Sequence, residues 1–386
     1  YYMASTSASR RRFLQSIGVG STAAFVPRSL RAAKTDTPPA TNIADALAVP
    51  RTDASLPGKY PGCVVEVQDP SCLVDDRPEA ARCTAMLERA MLELTGAGTI
   101  AVAWEQFVGP DDVVGLKVNP VAGALLSTSP VLVEAVISQL QNAGIPRTQI
   151  MIWDRREFQL EKAGFISERF PDIVIRGTEC RDAEGSFRDP NGRLYSEDRI
   201  DRDWYYWADY EEPYDAETIP YMVNEGTHSY FSRIVTQEVT KIINLPILKN
   251  AGSTVTLCMK NLAYGAITNT GRLHKHLWAE TCAQVPCFAP LRDKVVLNIV
   301  DGMIGCYHGG PGANPQFIVP YHRLLVGTDP VAVDRIGLDI VEKKRIAMKQ
   351  QEKPSPRATR FLDPVSYTHL RAHETVLDIV CRLLIE

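Results

Sequence analysis

The chain has 386 residues, of which 45% are hydrophobic and 23% are charged, proportions that exclude a disordered chain, a collagen-like fibre and a polytopic membrane protein. The formal net charge of −4 disfavours a nucleic-acid-binding protein, which usually carries a basic surface. The length suffices for two average domains or for one large domain with insertions.

The N-terminal segment carries a basic stretch followed by a short apolar run. Residues 9–15 read SRRRFLQ, and a run rich in small and apolar residues extends from Ile17 to Val26. This order is typical of a secretory signal, and the run is too short for a bilayer, which takes about 20 residues. The segment resembles a twin-arginine signal peptide, which implies that the protein is exported already folded to the periplasm or another extracytoplasmic compartment. We assign residues 1–33 to this signal and 34–60 to a linker.

Helix and strand patterns alternate from residue 84 onward. Apolar residues at helical spacing predict a helix over 84–97, and the β-branched run VVGLKVN predicts a buried strand over 113–119. Ser129 and Pro130 predict the N-cap and first turn of a helix that ends near Asn142. Further strands are predicted over 149–154, 172–177, 241–248, 294–302 and 322–327. Two further helices are predicted, a short one that ends near Arg169 and one that runs from Pro330 to about Glu342. Such alternation predicts an α/β fold with a doubly wound, mostly parallel sheet and helices on both faces.

Three segments depart from this alternation within or beyond an α/β domain assigned to 61–345. Residues 181–226 are acidic and aromatic, and we interpret them as an irregular packing insertion, with a cover over a pocket as the alternative. Residues 346–363 are polar and predict a surface segment. From residue 364 the chain reads PVSYTHLRAHETVLDIVCRLLIE, which resembles translated adapter read-through, so we expect 364–386 to be non-native.

The nine cysteines lack the spacing of a metal cluster. They form neither a C-x-x-C pair nor the closely spaced run of a ferredoxin, so the sequence does not support an iron–sulfur cluster. An exported protein can form disulfides. We expect buried thiols, with one disulfide among Cys63, Cys72 and Cys83 as the alternative.

Polar residues cluster where the predicted parallel strands end. In open α/β sheets, ligands bind beyond the carboxyl ends of the strands. Residues at those ends, on the helix that follows and in the next loop are Lys117, Asn119, Asp154, Lys249, Asn250, Asp301, Lys260, Asn261, His274 and His276. We therefore predict one shared polar pocket.

These residue types suit particular chemistry. Lysines bind carboxylate or phosphate groups, and a desolvated lysine serves as a base. Asp301 with a histidine could exchange a proton or hold a metal ion, for which His274 and His276 are the other candidates. Structural roles stay open, because Asp329 would also cap the helix that starts at Pro330 and Asp301 would also turn the chain.

Several motifs together resemble one known family. They are VGLKVNP, NLPILKNAGSTVTLCMKNLAYGAI, HKH, VDGMIG followed by GGPG, and LLVGTDPVAVDRIGLD, in this order over about 84–345. The family is catalogued as domain of unknown function 362. The resemblance implies an α/β fold and a pocket formed by Lys117, Asn119, Lys249, Lys260, Asn261, His274, Asp301 and Asp329. It implies no reaction, and the iron–sulfur module of some relatives does not carry over, because this chain lacks its cysteine run.

We expect an exported small-molecule enzyme of unknown reaction that performs acid/base or redox chemistry on an anionic or carbonyl-containing substrate. In this hypothesis Lys260, His274 and Asp301 are catalytic, and the substrate is bound by Lys117, Asn119, Lys249, Asn261 and Asp329. A metal or a tightly bound small cofactor would fit the export of a folded protein. The expected partners are a small-molecule ligand and the twin-arginine export machinery, without nucleic acid and without a stable membrane span once the signal is removed. The alternatives are a non-catalytic periplasmic binding or metal-delivery protein for a small anion, and a partner scaffold that uses the acidic aromatic insertion.

Overall fold

A computed structural model describes five stretches of the chain, residues 40–179, 198–208, 228–252, 254–362 and 379–385. The predicted signal peptide lies outside the described residues. The helices are α1 Ile43–Ala48, α2 Ala80–Thr95, α3 Ile100–Glu105, α4 Pro130–Asn142, α5 Glu157–Lys162, α6 Cys258–Ala266, α7 Leu273–His276, α8 Trp278–Gln284, α9 Ala289–Arg292 and α10 Pro330–Ala347. The strands are β1 Cys63–Gln68, β2 Leu73–Val74, β3 Arg77–Pro78, β4 Val114–Val118, β5 Ile150–Arg156, β6 Val174–Glu179, β7 Ile200–Trp207, β8 His228–Ser232, β9 Lys241–Leu245, β10 Ile247–Ala251, β11 Thr254–Thr256, β12 Val295–Cys306, β13 Ile318–Gly327 and β14 Ile379–Leu384.

A ten-stranded sheet forms the centre of the described fold. Eight strands lie in the order β14-β1-β13-β12-β9-β4-β5-β6, and the hairpin of β10 and β11 extends beside β12. The neighbours from β12 through β9, β4 and β5 to β6 pair in parallel. By contrast, β13 pairs antiparallel with both β12 and β1. The predicted α/β class with a mostly parallel sheet and helices around it is therefore confirmed.

Two hydrophobic cores cover the two faces of this sheet. One core contains Leu87 of α2 and Val136 of α4, together with Leu116 and Val118 of β4. The other core contains residues of α6 and α10 on the opposite face. Because side chains alternate along a strand, Lys117 between Leu116 and Val118 faces the α6 side of the sheet. This alternation brings a lysine of a central strand under a helix.

The helix starts follow the chemistry that their sequences predict. The Ser129 hydroxyl accepts a hydrogen bond from the Val131 N–H at 3.2 Å, and Pro130 occupies the first helical position of α4. The Asp329 carboxylate likewise accepts hydrogen bonds from Val331 and Ala332 at the start of α10. These contacts satisfy N–H groups that have no partner inside their own helix.

Several predicted boundaries are wrong for identifiable reasons. The strand predicted over 241–248 is two strands, because Pro246 supplies no N–H to the ladder and the chain bends there. The helix predicted to end near Arg169 ends at Lys162, where Gly164 follows with a φ of +86°. The strand predicted to end at Gly302 continues to Cys306 through a β-bulge, so Asp301 does not turn the chain. Strand β1 was absent from the sequence prediction.

The described part of the acidic aromatic insertion is regular. Its residues 200–207 form β7, which pairs antiparallel with β8. Tyr206 is buried, donates a hydrogen bond to Gln284 at 2.9 Å and contacts Phe288 edge to face. This stretch therefore packs on the domain, whereas residues 180–197 and 209–227 lie outside the described part.

Two further features concern the cysteines and the C-terminal segment. The cysteines whose side chains are described are free thiols, so the alternative of a disulfide among Cys63, Cys72 and Cys83 is wrong. Strand β14 pairs in parallel with β1 at the edge of the sheet. Backbone pairing at an open edge accepts any extended segment. The non-native origin of 364–386 stays a prediction. Within the described residues, no helix is long and apolar enough to cross a membrane.

We predict that Asp329→Ala destabilises the protein by about 1–3 kcal/mol, whereas Asp329→Asn costs less because its amide oxygen still caps α10. Asp329 also accepts a hydrogen bond from the Gly62 N–H at 3.0 Å, so alanine leaves a third buried donor without its partner. Urea unfolding of both variants provides the measurement. Equal stability of the alanine variant and the parent would contradict the capping role.

Candidate functional site

A cavity of about 140 Å³ lies at the carboxyl ends of β4, β5 and β10, against α6 and α7. Its polar and aromatic lining residues are Asn119, Asp154, Arg155, Arg156, Gln159, Lys249, Thr256, Lys260, Asn261, Tyr264 and His274. Five of the eight predicted site residues are among them: Asn119, Lys249, Lys260, Asn261 and His274. The cavity therefore forms where the strand-end principle places a ligand.

The sixth predicted residue, Lys117, lies directly behind this lining and is fully buried. Its ammonium donates hydrogen bonds to Asp154 Oδ1 at 2.5 Å and to Asn261 Oδ1 at 3.1 Å. A third hydrogen bond reaches the Val118 carbonyl at 2.8 Å. Burial lowers the pKa of Lys117, and the Asp154 carboxylate opposes that shift. Since all three amine protons have acceptors, Lys117 organises the site instead of touching a ligand.

A chain of amide side chains continues from Lys117 across the sheet. Lys249 Nζ donates to Asn119 Oδ1 at 2.8 Å, and Asn119 Nδ2 donates to Asn261 Oδ1 at 2.9 Å. Asn261 Nδ2 in turn donates to Asn244 Oδ1 at 2.8 Å. We call Lys117, Asp154, Asn119, Lys249, Asn261, Asn244 and Asn298 the buried polar network; Asn298 joins it by accepting from Asn244 at 2.9 Å. Such a network fixes its members only when each polar group has a partner, as these contacts provide.

Two details hold α6 close to this network. A side chain at Gly265 would place its Cβ 1.9 Å from Lys117 Cε, so the helix can approach the lysine only with glycine there. At the other end of α6, the buried Asp334 carboxylate of α10 accepts hydrogen bonds from the Cys258 and Met259 N–H groups at 2.6 and 3.0 Å. This cap acts on a helix other than the one that carries Asp334. Lys260 and Asn261 follow within the first turn.

Lys249 and Lys260 differ in their surroundings. Lys249 is fully buried, and desolvation together with the charge of Lys260 lowers its pKa from 10.5 to about 7. Lys260 is partly buried, and burial lowers its pKa as well. Its ammonium lies 5.6 Å from the centre of the Tyr264 ring, and it makes no hydrogen bond or ion pair within the described part of the chain. A fraction of Lys249 is therefore neutral near pH 7, and Lys260 loses its proton more readily than an exposed lysine does. Nucleophilic or basic lysines require such a lowered pKa.

His274 lies at the rim of the cavity on α7, a short helix where the sequence predicts a loop. Its Nδ1 is 2.8 Å from the Thr270 carbonyl, which can only accept, so Nδ1 carries the proton. Desolvation and the charge of Lys260 lower the pKa of His274 to about 4. The ring is consequently neutral at pH 7, with Nε2 able to accept a proton. The side chain of the other predicted histidine, His276, lies outside the described part.

Sequence reasoning missed five of the polar and aromatic lining residues, Arg155, Arg156, Gln159, Thr256 and Tyr264. Both arginines directly follow Asp154 at the end of β5, so strand-end position would have indicated them. Arg155 donates a hydrogen bond to the Thr270 hydroxyl. The Tyr264 hydroxyl donates to the Leu273 carbonyl at 3.1 Å, and its ring contacts His274 at a centroid distance of 4.3 Å. Tyr264 therefore positions the histidine, a role that residue type alone does not reveal.

The remaining two predicted residues, Asp301 and Asp329, do not line the cavity. Side chains two positions apart on a strand face the same side, so Asp301 faces the same side as Ile299, which belongs to the core under α2 and α4. The Asp301 carboxylate accepts a hydrogen bond from the Ser129 N–H at 2.8 Å. It thus lies on the opposite face from Lys117, and burial raises its pKa to about 6. Asp329 caps α10. The predicted exchange of a proton or shared metal between Asp301 and His274 is therefore wrong.

The donor set of the cavity does not fit a metal cation. Among the described residues, no group of three or more His, Cys, Asp or Glu side chains is placed to hold one. Asp154 is the single acid in the described lining, and Lys117 already pairs with it. Lysine and arginine repel a cation and attract an anion.

Comparison with known proteins supports the family resemblance for one part of the chain. The model of the family described as Domain of unknown function (DUF362) matches residues 211–339, which include Lys249, Lys260, Asn261 and His274. No curated protein matches the chain. A crystal structure of a Thermotoga maritima protein from the Northeast Structural Genomics Consortium aligns with a TM-score of 0.39 and 8% identity, over 66% of this chain and 59% of that one. The class that fold and site define is an α/β protein with a cationic pocket at its strand ends.

We predict that Lys249→Met raises the melting temperature by several degrees at pH 6 and gives no increase at pH 10. The folded pKa of about 7 lies below the ordinary 10.5, so stability is lost as pH falls from 10.5 to 7 and the full penalty persists below pH 7. That penalty is on the order of 5 kcal/mol, against about 1–3 kcal/mol for leaving Asn119 without its donor. Thermal unfolding at both pH values provides the test. A variant that is less stable than the parent at pH 6 would contradict the buried ionisation.

Proposed function

We propose that this cavity is the active site of an exported small-molecule enzyme that performs acid/base chemistry on an anionic, carbonyl-containing substrate. The observation that carries the proposal is the charge of the two lysines in the described lining, where Lys249 and Lys260 face one acid, Asp154, that is already paired with Lys117. A negatively charged ligand would supply a counter-charge to these lysines. Basic groups in a low-dielectric cavity attract an anion more strongly than they would in water.

The roles follow from accessibility and protonation. Lys249, with Arg155 and Arg156, would hold the anionic group, while Asn119 and Asn261 would orient the substrate. Lys260 and His274 would move the proton, because burial lowers the pKa of both groups and each lines the cavity. Lys117 keeps Asp154 and Asn261 in place. Asp301 and Asp329 have no part in this mechanism.

A non-catalytic receptor for a small anion is the second candidate. It is favoured by the hydrogen bond of Lys249 to Asn119 and by those of Lys117 to its three acceptors, which make one wall of the cavity rigid. Delivery of a metal ion is disfavoured because the same wall is cationic. The two remaining candidates differ in one observable, turnover.

Hydrogen–deuterium exchange separates these candidates with pyruvate as the probe. An acid/base enzyme for carbonyl acids would exchange the pyruvate methyl protons in deuterated water, which proton NMR records directly. We expect Lys260→Met and His274→Gln to lower the exchange rate about 100-fold or more, as loss of a general base does. We expect Lys249→Met instead to weaken pyruvate binding about tenfold, because one charge-assisted hydrogen bond is lost.

The matched control is Lys353→Met, since Lys353 is an exposed lysine outside the cavity. It should leave both exchange and binding unchanged. Binding measured by calorimetry without any enzyme-dependent exchange would favour the receptor. If the protein neither binds pyruvate nor exchanges its methyl protons, and also fails to bind inorganic phosphate, the proposed anion site itself is overturned.

We further propose that the protein is exported through the twin-arginine pathway, on the strength of Arg10, Arg11 and the apolar run that follows. The paired arginines are the part of the signal that the export machinery reads, so replacing both with lysine should retain the protein inside the cell. Fractionation followed by immunoblotting measures this. Equal export of the parent and of the Arg10→Lys, Arg11→Lys variant would contradict the pathway.

A further inference from the structure

We propose that Lys260 forms an imine with the carbonyl carbon of a small oxo acid whose carboxylate lies against Lys249 and the two arginines. This inference rests on the proposed function and adds to it a covalent step and a substrate class. Three observations support it: the different surroundings of the three lysines at the site, the size of the cavity and the neighbouring histidine.

The three lysines are not equivalent as nucleophiles. Lys117 has all three protons engaged and is fully buried. Lys249 is also fully buried and donates to Asn119. Lys260 alone of the three is partly exposed and has no hydrogen-bond acceptor within the described residues, and the face of Tyr264 is its polar contact. Its amine can therefore reach a ligand without breaking an existing hydrogen bond.

Burial makes this amine more reactive than that of an exposed lysine. A lysine attacks a carbonyl only as the neutral amine, and desolvation or a second cationic group supplies that form near pH 7. Burial lowers the pKa of Lys260, and the positive charge of Lys260 in turn lowers the pKa of Lys249. The site thus places a partly desolvated amine, that of Lys260, beside a second lysine, Lys249, that can carry a positive charge. This combination suits a substrate that carries both a carbonyl group and an anion.

The cavity limits the size of such a substrate. Its volume of about 140 Å³ is below the roughly 300–1,000 Å³ of sites that take drug-sized ligands. A short oxo acid fits this space, whereas a nucleotide or an acyl-coenzyme does not. Because lysine, arginine and amide side chains line the cavity, recognition depends on the carboxylate and the carbonyl.

The covalent step needs no reagent other than the lysine, the oxo acid and water. The lone pair of the neutral Lys260 amine adds to the carbonyl carbon, and one amine proton passes to the carbonyl oxygen to give a carbinolamine. A further proton from water lets that oxygen leave as water, and the nitrogen keeps its second proton in a protonated imine. His274 Nε2, which is unprotonated, would then accept the proton from the carbon next to the protonated imine. The protonated imine draws electrons from that carbon, so both residues serve one reaction.

Reduction with sodium borohydride traps such an imine as a stable secondary amine. The full chain is incubated with pyruvate, reduced, and analysed by intact mass spectrometry and peptide mapping. We expect one adduct per protein, heavier by one pyruvate unit less one oxygen atom, located on Lys260. Lys260→Arg keeps the charge but should lose at least nine-tenths of the adduct, while the matched control Lys353→Met should keep it.

The outcomes separate this inference from the proposed function. Pyruvate that binds and undergoes methyl exchange without forming an adduct on Lys260 would overturn the imine and leave the acid/base enzyme standing. An adduct on Lys249 would also overturn it, since the geometry assigns the accessible amine to Lys260. Labelling of many exposed lysines at equal yield would show non-specific amine chemistry and overturn it as well. A protein that neither binds pyruvate nor exchanges its protons removes the proposed function and the imine together.

Discussion

The buried ion pair between Lys117 and Asp154 is the interaction on which the site depends. Lys117 enters the core on a central strand, where an unpaired ammonium would be very costly. Asp154 on the adjacent strand supplies the counter-charge, and Asn261 on α6 supplies a further acceptor. Removing either Lys117 or Asp154 would leave the other charge buried without its partner, which costs far more than the pair contributes when intact. The sheet, α6 and the cavity lining are therefore fixed relative to one another by polar contacts.

This arrangement explains why three neighbouring lysines differ in burial and in hydrogen bonding. The network satisfies Lys117 with three acceptors and Lys249 with one, and it leaves Lys260 facing the cavity. Apolar side chains in place of the buried amines would make the protein more stable. Lower stability is therefore expected of a site that holds cations away from water.

The strand-end rule located most of the site from sequence, because β-branched runs mark buried parallel strands and polar residues at their ends stand out. Lys117, Asn119 and Lys249 follow from that reasoning, as do Lys260 and Asn261 on the helix after the hairpin. Asp301 was misplaced because Gly302 looked like a turn, whereas it lies in a bulge of a strand that continues. Once the strand continues, alternation sends the Asp301 side chain to the opposite face. The strand-end position that indicates Asp154 applies equally to Arg155 and Arg156, which directly follow it, whereas the helix cap made by Asp334 depends on packing between distant segments.

A lysine-resolved NMR titration tests the central claim most directly. With lysine labelled at Cε, each amine reports its own midpoint, and the Lys249→Met and Lys260→Met variants assign the signals. The account predicts that Lys249 titrates near pH 7 and that its midpoint rises when pyruvate is added, because a bound anion stabilises the ammonium. Midpoints near 10.5 for both cavity lysines, unchanged by pyruvate, would show that the site neither desolvates its amines nor binds an anion beside them.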